Sequence, residues 1–177
     1  MKALEHFKTI THHRHLVMKG CFAVGLYKQG LLHDLSKYNP VEFMVGAKYY
    51  QGDKSPNNIE RMKTGVSLAW LHHKGRNKHH FEYWIDYSLD EHHTMTGMEM
   101  PVNYVVEMYV DRVAACKTYQ KEKYTDASAL IYFNKGKGKY LMHKNTEALL
   151  EDMLKYLAEH GEKATNEYIR KEILHNK

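Results

Sequence analysis

The segment PVNYVVEMYVDRVAACKTY, residues 101–119, constrains this chain more than any other stretch. Its apolar positions recur at helical spacing, and the polar face left over is so narrow that a helix here must be buried on most sides. Such a helix needs other elements around it. Strand signals are nearly absent, with no clean period-2 alternation and no Asn-Gly or Asp-Gly hairpin between β-branched runs. The covering elements are therefore expected to be helices, and the fold class to be all-α.

The remaining helices are read from punctuation and period. A first helix is expected from about Leu4 to Lys28, stopping at Gly30, with His13, Val17, Gly20, Cys21 and Val24 on one face. After a short buried turn, LLHDLSKY, Asn39, Pro40 and Glu42 supply an N-cap, an N1 proline and a capping-box acid for a helix through Tyr50. Ser55 and Pro56 repeat the device for a helix carrying Val66, Leu68, Ala69 and Leu71 to its end at His73. KGRNK reads as a loop, HHFEYWIDYSL as resumed helix, residues 88–100 as irregular, and FNKGKGKY (133–140) as a basic, glycine-containing loop. Leu149, Leu150, Met153, Leu154 and Leu157 form an apolar stripe on a helix ending at Gly161, and one more amphipathic helix closes the chain. No repeat or linker divides it. Residues 1–177 are thus expected to form a single helical domain, with C-terminal helices over 141–175 packing on the rest.

Composition narrows the classes. A chain of 177 residues, 43% hydrophobic and 27% charged with three prolines, is long enough for a real core and unlike disordered, collagenous or disulfide-stapled sequences. Lys, Glu or His interrupts every apolar stretch well short of the ~18 residues that span a bilayer. The first twenty residues carry His, Lys and Arg throughout and do not read as a secretory signal, so the cytoplasm is the expected compartment. Cys21 and Cys116 sit in apolar helical stretches as small hydrophobes. The net charge of +5 favours anionic partners. Its scatter fits a small phosphorylated substrate, a nucleotide among them, better than a nucleic-acid surface, and it says nothing of oligomeric state.

The chemistry lies in fourteen histidines that come in clusters. His33-Asp34 stands between apolar residues that turn the segment inward, and a buried Asp needs a partner or a metal. Mutual satisfaction of the two in the core is the plain alternative. Asp111 poses the same problem, since it lies in the most apolar helix with Tyr104, Met108 and Ala115 on its face, and Arg112 is too close in sequence to face the same way. Between them come His72 and His73 at a helix end and His79 and His80 after a five-residue loop, a layout that can bring one His of each pair to a common point. His15 and the pair His92-His93 read as surface.

Taken in order, the chain gives H…HD…H…H…D on a helical scaffold, and here it resembles the HD-domain metal-dependent phosphohydrolases over roughly residues 10–115. HDLSK is similar to the HD-(Ile/Leu)-Gly-Lys segment of that superfamily, with Ser36 in place of glycine. More narrowly, GLYKQGLLHDLSKY, KYYQGDKSPN and AWLHHKGRNKHHFEYWIDY resemble blocks of a small uncharacterised bacterial and phage family of HD-like proteins, which brings no established substrate.

The resemblance implies an HD-type bundle in which His13, His33, Asp34 and Asp111 hold a first metal and Asp34 bridges to a second. His73 and His80 are the expected ligands of that second metal, with His72 and His79 as alternatives. His12 competes with His13 for the first position, and Gly20 and Cys21 on the His13 face, which allow close helix approach, favour His13. Mixed His and carboxylate ligands suit one or two ions of Mn, Fe, Co, Ni or Zn. The implied activity is hydrolysis of a nucleotide or other small phosphate ester by metal-activated water. Lys37, Arg76 and Lys78 are candidates for the substrate phosphate, and Glu107 for orienting or carrying a proton; ordinary solvated charge is the bland reading of each. Two other readings share these ligands: an HD-type di-iron oxygenase, and a non-catalytic helical module that keeps a metal.

Overall fold

The computed structural model describes residues 2–89, 91, 92 and 94–174. It is all-α apart from one small hairpin. In chain order, α1 is Lys2–Ala23, α2 Tyr27–Leu32, α3 Pro40–Tyr49, α4 Pro56–Thr64, α5 Leu68–Lys74, α6 Val102–Gln120, α7 Ser128–Gly136 and α8 Lys144–Tyr168. Single 3-10 turns at Leu35–Tyr38, Phe81–Trp84 and Lys121–Lys123 link them, and a π-turn, Ile169–Ile173, follows α8.

α6 is central, as its narrow polar face requires. Val105, Val106, Met108, Tyr109, Val110, Val113 and Ala114 are all buried on it. α1 lies along one side, burying His6, Ile10, His13, Val17 and Cys21 at helical spacing. At the crossing, a Cβ on Gly20 would come within 2.6 Å of Val110 Cγ1, so the two backbones approach as only glycine allows. α8 covers another side with Leu150, Met153, Leu154 and Leu157, the expected stripe, each fully buried. It passes through non-helical backbone at Gly161, where the sequence places its end.

Several boundaries differ from the sequence reading, each for a local reason. The first helix stops at Ala23 because Gly25 takes φ 89°, and α2 then carries Gly30 inside it. The helix expected from Pro56 to His73 is two, since Gly65 at φ 80° ends α4 and Ser67 caps α5 by accepting from Trp70 N. The Ser55 side chain caps nothing. Asn39 does cap α3, accepting from Val41 N.

The expected helix over HHFEYWIDYSL is instead a 3-10 turn and a strand. β1 (Ile85–Tyr87) pairs antiparallel with β2 (Met95–Gly97), Ile85 opposite Gly97. Three-residue strands are too short to show a period. The expected loop 133–140 is helical as far as Gly136, because Phe133 is wholly buried against the core. His93 and His175, which fall in readings made above, lie outside the described residues. No described helix is long and apolar enough to cross a membrane.

Candidate metal centre

The segment between α2 and α3 is shaped to bury one carboxylate. Asp34 adopts left-handed backbone, φ 52° and ψ 26°, a conformation that Asp tolerates better than most residues. α1 holds it there: Arg14 donates from Nε to the His33 carbonyl at 2.8 Å and from Nη2 to the Leu31 carbonyl at 3.1 Å. The turn drives the Asp34 side chain into the interior, fully out of solvent.

Around it stand imidazoles from three directions. Asp34 Oδ2 faces one set, His33 Nε2 at 3.3 Å and His13 Nε2 at 3.9 Å. Its other oxygen, Oδ1, faces a second set, His73 Nε2 at 3.2 Å and His79 Nε2 at 3.4 Å. Asp111 completes the first set, with Oδ1 3.0 Å from His13 Nε2 and 3.7 Å from His33 Nε2. His80 completes the second. Donor atoms of His13, His33, Asp34 and Asp111 lie within 4.8 Å of one another, as do those of Asp34, His73, His79 and His80, so each set could hold a metal ion. Asp34 belongs to both.

A second layer fixes which ring nitrogen points inward. Glu107 Oε1 accepts hydrogen bonds from His33 Nδ1 at 2.9 Å and His79 Nδ1 at 3.1 Å, so one carboxylate serves a histidine of each set. Glu42 Oε2 does the same for His73 Nδ1 at 2.8 Å, and also accepts from Ser36 Oγ at 3.1 Å. These bonds put a proton on Nδ1 and turn Nε2 of His33, His79 and His73 inward, where in the neutral ring it is an acceptor able to ligate. The remaining candidate grouping, His33, His79 and Glu107, is accounted for by the same bonds.

The charges are tightly balanced. Burial opposes ionisation of Asp34 and Asp111, yet His33 and Lys37 around Asp34, and His13 and His33 around Asp111, hold both carboxyls well below their ordinary range. Burial likewise works against charge on His33 and His73, but Asp34 outweighs it and raises both. His80 goes the other way, pushed well down by burial and then by His79 and His73. His13 is lowered by burial and the Lys37 cation. A carboxylate-rich interior that pulls protons onto imidazoles meets with protons the same demand a divalent cation would meet.

The other expected site residues divide. Lys37 is at the centre, its Nζ 2.5 Å from Asp34 Oδ2 and its side chain 26% exposed, at the rim of the cluster. His12 is exposed on the outer face of α1, away from the cluster that its neighbour His13 enters. His72 is turned aside too, its Nδ1 2.6 Å from Glu42 Oε1. His79, set behind His80 in the sequence reading, joins it. Arg76 and Lys78 are exposed and line a groove that includes neither Lys37 nor Asp34. Glu42 is the residue the sequence reading misassigned: it sits three residues after the Asn39 cap, where a capping-box acid belongs, but its carboxylate turns to His72 and His73.

Fold and site together define an all-α protein with a buried His/Asp cluster suited to a metal. A family model described as a family of unknown function (DUF5662) matches residues 2–156, and the chain belongs to that family. The match takes in the whole cluster from His13 to Asp111. No curated protein and no solved structure matches the chain.

Proposed function

We propose that the chain is a metal-dependent phosphohydrolase of the HD type that acts on a small phosphate ester, nucleotides included. One observation carries this reading. Nε2 of His13, His33, His73, His79 and His80 and both carboxylate oxygens of Asp34 are buried at one place, and among the described residues none is served by a well-formed hydrogen bond, although Lys37 stands in ion-pair contact with Asp34 Oδ2. Each unsatisfied buried polar group costs about 1–3 kcal/mol, so a cluster of them is a heavy penalty unless something binds there. Divalent cations, one at each set, would satisfy all of them.

In this reading His13, His33, Asp34 and Asp111 would hold one ion, and His73, His79 and His80 together with Asp34 would hold a second. Nitrogen and carboxylate donors in this mixture favour Mn, Fe, Co, Ni or Zn over Ca. When bound, such an ion lowers the pKa of its water toward ~7 and polarises a phosphoryl oxygen. Glu107 and Glu42 keep the imidazoles in the tautomer that can ligate. Lys37, cationic at the rim beside Asp34, is placed to take a phosphoryl oxygen of the substrate. The buried free thiols of Cys21 and Cys116 are consistent with a cytoplasmic protein.

The test is elemental analysis of untagged protein purified without chelator, beside Asp34→Asn, followed by assay against a panel of phosphomonoesters, diesters and nucleotides. About one or two transition ions per chain, lost in the variant, with phosphate released from at least one substrate class, supports the reading. Predominant iron with dioxygen consumption and no phosphate release would turn it into the oxygenase. Bound metal with neither activity would leave a binding module, and a wild type that takes up no metal would remove the site altogether.

A further inference from the structure

Beside the cluster lies a groove of about 360 Å³, within the size range of small-molecule sites. Its floor is His33, His79 and Glu107, while Asp34, Asp111, His13, His73, His80 and Lys37 do not line it. The floor histidines reach Glu107 through Nδ1 and Asp34 through Nε2. The groove therefore meets the outer, Glu107 side of these rings, opposite the side where the unpartnered nitrogens converge.

Its walls are cationic. Lys28 comes from α2, and Arg76 and Lys78 from the loop between the paired histidines. Glu107 is the one carboxylate in the lining, already engaged by two histidines, and among the described residues none of the three cations forms an ion pair. Arg76 is partly anchored, donating from Nη1 to the His72 carbonyl at 3.1 Å, which leaves other guanidinium donors available. The Lys78 ammonium lies 5.9 Å from the ring centroids of Tyr83 and of Tyr104, and Tyr104 with Asn103 lines the same groove. Three unpaired cations, one of them a planar fork, against an aromatic and an amide match a phosphoryl group carrying a small organic body.

We propose that this groove is a second binding site, for a small phosphorylated anion, separate from the metal centre and behind it. It gives Arg76 and Lys78 a ligand other than the phosphoryl group undergoing hydrolysis, which Lys37 faces. The site does not depend on the metal reading.

Calorimetric titration with pyrophosphate and with glycerol 2-phosphate tests it on four proteins: wild type, Asp34→Asn, the double variant Arg76→Ala/Lys78→Ala, and the double variant Lys121→Ala/Lys123→Ala, which removes two cations elsewhere. The groove site predicts unchanged binding in Asp34→Asn and in the Lys121/Lys123 variant, and a loss of ~10-fold or more in the Arg76/Lys78 variant. Binding that disappears with Asp34→Asn and survives Arg76→Ala/Lys78→Ala would assign the anion to the metal centre instead. Equal weakening in both double variants would show attraction to net charge alone, and no binding by wild type would remove the site.

Discussion

The two halves of the cluster are made from different kinds of chain. His13 and Asp111 stand on helices of 22 and 19 residues that cross in close contact at Gly20 and Val110. His73 lies in the last turn of a seven-residue helix, and His79 and His80 follow on a turn. There, position depends on polar ties: Glu42 to His73, and Asn77 Nδ2 donating to the His73 carbonyl at 2.8 Å and to Ser36 Oγ at 3.0 Å. Core packing sets His13 and Asp111 in the first half, with Glu107 and Arg14 holding His33 between them. The second half owes its geometry to a hydrogen-bond net, and the two should fail under different substitutions.

The largest effect tests whether the halves are joined. Asp34 gives one oxygen to each, so Asp34→Asn should take metal from about two ions per chain to near zero, read by elemental analysis. Retention of half would mean that the sets are independent. A finer cut uses the orienting carboxylates. Glu107→Ala should weaken both ions by ~10–100-fold, while Glu42→Ala should weaken only the second by a similar factor, as measured by competition with a chromogenic chelator. Identical titration curves for the two variants would erase the distinction.

Smaller still is an effect on stability from the α1–α3 contact outside the cluster. His6 is buried against Gly46 and Phe43, and burial together with the Lys37 cation lowers its pKa from 6.5 to about 4. The unfolded chain takes up that proton as pH falls through 6.5 and the folded chain does not until about 4, so folding stability should decline across that window. In His6→Leu the thermal midpoint should fall less steeply between those pH values than in wild type, and parallel profiles would contradict the assignment. His12→Ala should change nothing: metal content stays at the wild-type level and stability within about 0.5 kcal/mol, since His12 projects outward. Loss of metal there would bring α1 into question.

Legibility in the sequence followed the same division. His33-Asp34 and Asp111 drew notice as charged groups among apolar residues, and the family resemblance joined them to His13 in one set. His12 and His13 stand on faces of nearly equal apolarity, and only the small residues Gly20 and Cys21 beside His13 favoured it. His79 and His80 were not separable, because the turn carrying them has no period, and the structure uses both. Glu42 was hidden by a coincidence of spacing, since the third residue of a capped helix is where a capping acid is expected. The fold class and the α8 stripe were plain, whereas Gly25 and Gly65 divided helices whose apolar pattern runs on past them. The hairpin was invisible for want of length.

The left-handed turn at Asp34 has a further consequence for how this chain can change. At φ 52° the residues that fit with little strain are Gly, Asn and Asp, and of these only Asp brings an ionised carboxylate. Asparagine would keep the backbone, the helix packing and the Arg14 clamp while removing the one ionised group that both candidate sets share. The scaffold and its chemistry are therefore separable by a single side-chain oxygen. If the proposed centre holds metal, a metal-free descendant, folded and still carrying its basic groove, lies one substitution away.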